Sequence, residues 1–175
     1  MTLARRFYGA LRLDVATYED IEADPAALAQ AVAIVLAFGA AAAIGLAGRT
    51  PDLASLIGAA GAALVGWLSW AAIVTGLGVR VFPEPQTRAD VGELARTIGF
   101  SAAPGLFLVL LVVPELRLAT FVAVSIWMLG AMVVAVRQAL DFTHTARAIA
   151  VCVVGWGLAA ALAVAAGIAF GSRVS

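Results

Sequence analysis

The sequence predicts an all-helical, polytopic integral membrane protein, a bundle of five transmembrane helices of which the third is short. Composition is the first reason. The 175 residues are 63% apolar and only 13% charged, whereas an average soluble domain is about half apolar and a quarter charged. The second reason is that the apolar runs do not alternate with polar residues. In lipid only helices and closed barrels satisfy every backbone hydrogen-bonding group, and the strands of a barrel would alternate.

Five such runs follow a polar segment of residues 1–25 and precede a tail of residues 172–175. A helix needs roughly 20 residues to cross the hydrocarbon core of a bilayer, and four of the runs supply them outright. The predicted spans are residues 26–48, 53–79, 94–113, 118–136 and 148–171, together a transmembrane domain of residues 26–171.

The third run differs from the others, because its strictly apolar part, Ile98 to Val113, is short and contains Pro104 beside Gly105. It reaches spanning length if its helix starts near Leu94. A re-entrant segment, which leaves four full spans, is the alternative.

Arginines predict the orientation. All eleven basic residues are arginine, and with five spans eight of them fall on the N-terminal side and three on the other. The positive-inside rule therefore predicts a cytoplasmic N-terminus and an external C-terminus. The absence of lysine beside abundant alanine is typical of a GC-rich bacterial genome, so the membrane is expected to be the cytoplasmic (inner) membrane of a bacterium. Four spans give the same division, so the rule fixes the N-terminus without choosing between the two models. The first apolar run is expected to be retained rather than cleaved as a signal peptide.

The polar N-terminal segment is predicted to contain an amphipathic interfacial helix. Leu3, Phe7 and Leu11 recur at helical spacing with arginines between them, a pattern typical of a helix on a membrane surface. An acidic cluster follows, which is either a solvated helix start or a docking patch for a basic partner. The acidic residues are Glu19, Asp20, Glu22 and Asp24, and the arginines considered as partners are Arg88, Arg96, Arg137 and Arg147.

Capping residues mark two helix starts. Asp24 followed by proline predicts the start of the first span. The segment from Thr87 to Asp90 resembles a capping box, which would open an amphipathic stretch in which Glu93 and Arg96 are able to pair.

Small residues recur at every fourth position of the fifth run and, more briefly, of the second. Rows of this kind let helix backbones approach closely in lipid. We expect helix-packing or interaction faces, directed either inside one molecule or toward another membrane protein or a second copy. The residues are Gly155, Ala159, Ala163, Gly167 and Gly171 in the fifth run, and Gly58, Ala62 and Gly66 in the second.

Four tryptophans lie within the runs rather than at their ends, where membrane tryptophans usually lie. We expect Trp67, Trp70, Trp127 and Trp156 to fill the core, each indole N–H finding a carbonyl or hydroxyl. A lipid or ligand pocket is the alternative.

The sequence contains few residues that could form a catalytic site. His144 is the one histidine and Cys152 the one cysteine, so a metal site lacks ligands. An acid–base pair of Asp141 and His144 is the remaining catalytic alternative, against which Thr143 or Thr145 as a helix N-cap is the better interpretation. We predict a non-enzymatic protein with no catalytic, cofactor-binding or metal residues and no cofactor. A net charge of zero also argues against a nucleic-acid partner.

The predicted function is to bind or organise other membrane proteins or lipids in the bilayer. A small transporter or channel subunit is the alternative, although no run carries a charge at its centre, where coupled transporters usually have one. Its polar pathway would be lined by Ser69, Thr75, Ser101 and Ser125, beside the broken helix of the third run.

Three stretches resemble the Yip-domain family (Ypt-interacting proteins) in its small bacterial branch. They are ARTIGFSAAPG at 95–105, IWML at 126–129 continuing to AVRQALD at 135–141, and TARAI at 145–149. The resemblance covers roughly residues 27–170 and implies a five-helix membrane protein without known catalytic activity. Eukaryotic relatives associate with prenylated Rab-type GTPases and with one another, but their Asp-Leu-Tyr-Gly-Pro motif is absent from this sequence. No functional residue is carried over.

Overall fold

The computed structural model describes residues 1–47 and 51–171, and the side chains of residues 1–47 and 51–161. Within that part of the chain every regular element is helical, which confirms the predicted fold class. The α-helices are α1 (Leu3–Leu11), α2 (Val15–Ala23), α3 (Ala27–Ala47), α4 (Leu53–Arg80), α5 (Val91–Ser101), α6 (Arg117–Ala139) and α7 (Thr145–Gly171), and two 3₁₀ helices, Ala103–Val112 and Pro114–Leu116, join α5 to α6.

Four helical segments are long and apolar enough to cross a membrane: Ala27–Ala47, Leu53–Arg80, Val91–Val112 and Pro114–Ala139. The part of α7 with described side chains, Thr145–Ala161, is a shorter apolar helix, and α7 continues to Gly171. The chain is therefore a polytopic helical membrane protein whose helices coincide with the predicted runs to within a few residues.

The third span changes helix type at its proline. Pro104 has no N–H, and in an α-helix its ring would clash with the carbonyl of Phe100. The backbone instead tightens into the 3₁₀ helix Ala103–Val112, in which Gly105 N donates to Ala102 O at 2.9 Å. Because a 3₁₀ helix rises about 2.0 Å per residue and an α-helix 1.5 Å, α5 and this 3₁₀ helix together extend about 36 Å. That length is sufficient for a full span.

The third span also lies at the centre of the bundle. In its most apolar stretch of 18 residues, 61% of the residues are buried, against 17–33% in the other three spans. Close backbone approach accounts for this burial. A Cβ added to Gly99 would lie 2.6 Å from Ala31 Cβ of α3, and the space beside Gly45 of α3 is filled by the carbonyl group of Leu108. Only glycine lets these helices pack at such a distance.

The predicted amphipathic helix is present as α1, which pairs with α2 in a helical hairpin. α1 and α2 are joined by a turn in which Leu13 adopts φ 58°, and the Cβ position of Gly9 is occupied by the Thr17 side chain. The hairpin packs against α5, α6 and the 3₁₀ helix Ala103–Val112. At its tip, Trp127 Nε1 of α6 donates to Leu11 O at 2.8 Å.

The capping box before α5 lies one turn later than predicted. Asp90 is the N-cap, its carboxylate accepts from Glu93 N, and the Glu93 carboxylate accepts from Asp90 N, both at 2.9 Å. Thr87 instead donates from Oγ1 to Leu140 O at 2.9 Å. The predicted pair of Glu93 and Arg96 is also wrong, because each side chain is already bonded elsewhere.

Candidate intramembrane binding groove

A cavity of about 330 Å³ lies between α3, α4, α5 and α6 within the membrane-spanning region. Two exposed residues of α4, Ala62 and Gly66, line it together with half-buried and buried ones. The cavity is therefore a groove that opens beside α4 rather than an enclosed void. Its larger lining side chains are Phe38, Trp67, Trp70, Met128 and Met132.

Polar groups in the groove are bonded within the protein. Trp67, only 8% exposed, donates from Nε1 to Ala95 O at 2.9 Å. Ser101 Oγ donates to Ile98 O at 2.7 Å, and Trp70 Nε1 donates to the Met132 thioether at 3.2 Å. What the groove offers an occupant is therefore an aromatic and methionine surface, which suits apolar ligands and adapts to their shape.

A second, more open cavity of about 510 Å³ adjoins the groove and shares Trp70 and Met132 with it. Trp156 of α7 packs edge-to-face on Trp70 there, with ring centroids 6.3 Å apart and planes at 87°. Trp156 is 58% exposed, so its predicted place in the core is wrong. The prediction is confirmed for Trp67, which is buried in the core and donates to a backbone carbonyl. Trp127 also donates to a backbone carbonyl, but its ring is only half-buried.

The two small-residue faces have different surroundings. On α7, Gly155 is buried, and a Cβ there would lie 3.0 Å from Trp70, while Ala159 lines the second cavity. On α4 the face is exposed, and nothing lies within 4 Å of a Cβ added to Gly58 or Gly66. The side chains at Ala163, Gly167 and Gly171 lie outside the described residues. A role of either face in binding a partner stays a prediction.

The hydroxyls proposed to line a transport pathway do not converge. Ser69 is exposed, Thr75 donates back to Ala71 O at 2.7 Å, and Ser101 is bonded as described above. Ser101 alone of the four lines the groove. The described residues therefore give no polar path through the bundle.

Arg6 holds the acidic cluster at one end of the bundle. Its side chain is 1% exposed and contacts the carboxylates of Asp20 and Asp24 at 2.7 Å each, and its Nη1 donates to Gln30 Oε1 of α3 at 3.1 Å. The hydrogen bond from Arg6 and one from Ala26 N lower the pKa of Asp24. Both carboxylates thus bind an arginine of their own hairpin, which sequence reasoning did not consider.

The other acidic residues of α2 face α5 and α6. Arg96 donates to the backbone oxygen of Glu22, and Gln138 Nε2 donates to Glu19 Oε1 at 3.2 Å. Burial, and then the negative charges of Asp141 and Glu93, raise the pKa of Glu22 to about 7. Three of the four carboxylates, those of Glu19, Asp20 and Asp24, are therefore bonded within the protein, so the cluster is not presented whole to a partner.

At the same end of the bundle, Glu84 connects the loop that follows α4 to the loop that follows α6. Its carboxylate accepts from Thr143 N at 3.1 Å and Thr143 Oγ1 at 2.9 Å, and pairs with Arg147 at 3.1 Å. The Thr143 hydroxyl is therefore not the N-cap of α7. Among the described residues, Asp141 and His144 form no hydrogen bond with each other, and no group of three His, Cys, Asp or Glu side chains is placed to hold a metal ion.

Four residues of the groove, Trp67, Trp70, Ala62 and Gly66, stand out in the sequence, whereas its methionines were not predicted. Met128 and Met132 are four residues apart and therefore lie on one face of α6. That spacing was the available signal.

Comparison with known proteins supports one assignment. The Yip1 domain matches residues 9–167, from α1 into α7. Among curated proteins and among solved structures, nothing matches. Since the match covers nearly the whole chain and agrees with its apolar helical bundle, this membrane protein belongs to the Yip1 domain family.

Proposed function

We propose that the protein is a non-enzymatic membrane protein that binds a transmembrane helix of another membrane protein, or of a second copy of itself, along the groove beside α4. The observation that carries the proposal is the groove of about 330 Å³, which opens at Ala62 and Gly66 and is lined by tryptophan and methionine side chains. Lipid is the competing occupant.

The rim of the groove favours a helix over a lipid chain. Glycine and alanine at the rim leave the α4 backbone accessible, and Gly58 and Gly66 have open space where a side chain would stand. Helices in lipid associate through such close backbone approach. A protruding apolar side chain of the partner would then enter the groove and pack against Trp70 and Met132.

The chemistry of the described residues supports a binding role over a transport role. The groove walls are apolar, and the hydroxyls of Thr75 and Ser101 are bonded to their own helices. Transporter sites near the middle of the membrane usually expose charged residues or backbone carbonyls. We therefore rank the transporter or channel subunit second. The excess of arginine at the end that bears the hairpin supports a cytoplasmic N-terminus in the inner membrane.

Site-specific photocrosslinking in the membrane tests the proposal. A photoreactive amino acid at Ala62, on the groove rim, should give a discrete protein adduct whose mass identifies a second copy or another protein. The same group at Gly61, which is exposed on another side of α4, should give none.

A blocking variant completes the test. Gly66→Leu should abolish the Ala62 adduct by filling the rim, whereas Gly61→Leu should leave it unchanged. Both positions are open, so neither substitution strains the fold. Lipid adducts alone at Ala62, or a protein adduct that survives Gly66→Leu, would refute helix binding in this groove.

A further inference from the structure

A second site lies on the outer face of the N-terminal hairpin and does not depend on the groove. Arg5, Tyr8 and Arg12 recur at the spacing that places them on one face of α1 and its end, and all three are exposed. Together with Gly9, Asp14 and Thr17 they line a cavity of about 590 Å³. The opposite face of α1 carries the buried Arg6 and Ala10.

The tip of the hairpin lies at the depth of the membrane-spanning part of α6. Leu11 O accepts from Trp127, and Leu13 Cδ1 lies 3.6 Å from the Cβ position of Gly130. Gly130 is seven residues before Arg137, at which the apolar run of α6 ends, or about 10 Å along the helix. Arg12 is adjacent to both tip residues and therefore begins beside the apolar part of α6, from which its long, exposed side chain is able to snorkel to the headgroup region.

Arg5 and Arg12 have no ion-pair partner among the described residues, in contrast to Arg6 between them in sequence. The one carboxylate in the cavity, Asp14, is occupied: it accepts from Thr17 N at 3.1 Å and Thr17 Oγ1 at 2.5 Å as the N-cap of α2. The cavity is thus lined by two guanidinium groups and a single carboxylate, which is already hydrogen-bonded to Thr17. A charged arginine at membrane depth is costly unless it reaches an anion.

We propose that Arg5, Tyr8 and Arg12 form a binding site for the phosphate of an anionic phospholipid in the leaflet that surrounds the hairpin. The planar guanidinium of arginine bonds a phosphate through two parallel N–H groups. The Tyr8 ring, 64% exposed, suits the headgroup region, where tyrosine is enriched, and its hydroxyl is able to donate to the same phosphate. The lipid chains would then lie along the apolar flank of the bundle.

Native mass spectrometry of the full-length protein in detergent tests this site. The protein is titrated with phosphatidylglycerol or phosphatidylcholine of identical acyl chains, and bound lipids are counted. We expect one phosphatidylglycerol to be retained with about a tenfold preference, since each basic group near a membrane surface contributes on the order of a few-fold to tenfold. The variant R5Q/R12Q should lose that preference.

Arg88→Gln is the matched control for the single variants Arg5→Gln and Arg12→Gln, because Arg88 is an exposed arginine at the same end of the bundle and each change removes one positive charge. It should keep the preference. If R5Q/R12Q loses its helical content, the single variants Arg5→Gln and Arg12→Gln carry the test, each with a loss of about threefold. Equal retention of the two lipids by the unmodified protein, or an equal loss in Arg88→Gln, would overturn the proposal. Displacement by millimolar inorganic phosphate would indicate a site for free phosphate instead.

Discussion

The N-terminal hairpin is held against the bundle, and α3 against α4, by different physical interactions. The hairpin is fixed by directional polar bonds, chiefly the Arg6 network and the Trp127 bond to Leu11 O. Between α3 and α4 the contact is backbone against backbone, and a Cβ on Gly39 would lie 3.0 Å from Ala59 O and Ala63 Cβ. At the end of the bundle, charged groups form ion pairs at a small desolvation cost. In the hydrocarbon region, helices associate mainly through close packing of small residues.

Removing Arg6 tests the polar half of this comparison and should have the largest effect. Arg6→Gln removes the charged hydrogen bonds to Asp20 and Asp24, whose side chains are about one-third exposed. At about 1.5 kcal/mol for each such bond, the loss is about 3 kcal/mol. We expect a correspondingly lower free energy of unfolding in detergent, measured by tryptophan fluorescence. The neighbouring Arg5→Gln, which removes an exposed arginine, should change it little. Equal effects of the two variants would show that the network does not hold the hairpin.

Enlarging Gly99 tests the close-packed half of the comparison. In Gly99→Leu the new side chain meets Ala31 Cβ at 2.6 Å and Trp67 at 3.3 Å, so α3 and the third span must separate, at a cost of about 2 kcal/mol. Gly61→Leu makes the same change where nothing lies within 4 Å and should be nearly neutral. Thermal unfolding in detergent compares the two. A neutral Gly99→Leu would mean that the helices pack less closely than described.

A pH dependence provides the most specific test, and its effect is expected to be the smallest because Glu22 is only half-buried and solvent screens its charge. Because the pKa of Glu22 is raised in the folded protein to about 7 from 4.5, its charged form disfavours folding. That penalty is absent below pH 4.5, grows between pH 4.5 and 7 and is complete above pH 7. Glu22→Gln should therefore raise the melting temperature at pH 8 and leave it unchanged at pH 4. A stabilisation that is independent of pH would point to a cause other than the carboxyl charge.

Part of the groove was visible in the sequence. Trp67 and Trp70 were recognised because aromatic rings within an apolar run are unusual, and Ala62 and Gly66 because of their spacing. That these four residues share a cavity with Met128 and Met132 was not predictable, since it depends on how α4 packs relative to α6. Arg6 was missed for the same reason: in sequence it differs little from Arg5, yet one is buried and the other exposed.

The sequence by itself determined that the chain is a helical membrane protein and where its helices run, because burial in lipid requires long apolar segments whose backbone bonds are internal. It also determined the break at Pro104, since the missing N–H acts locally. Only the tertiary structure decided which arginine is buried, which tryptophan remains exposed and where the hairpin docks. Those outcomes depend on contacts between residues far apart in the chain, such as Leu11 with Trp127, which no local pattern records.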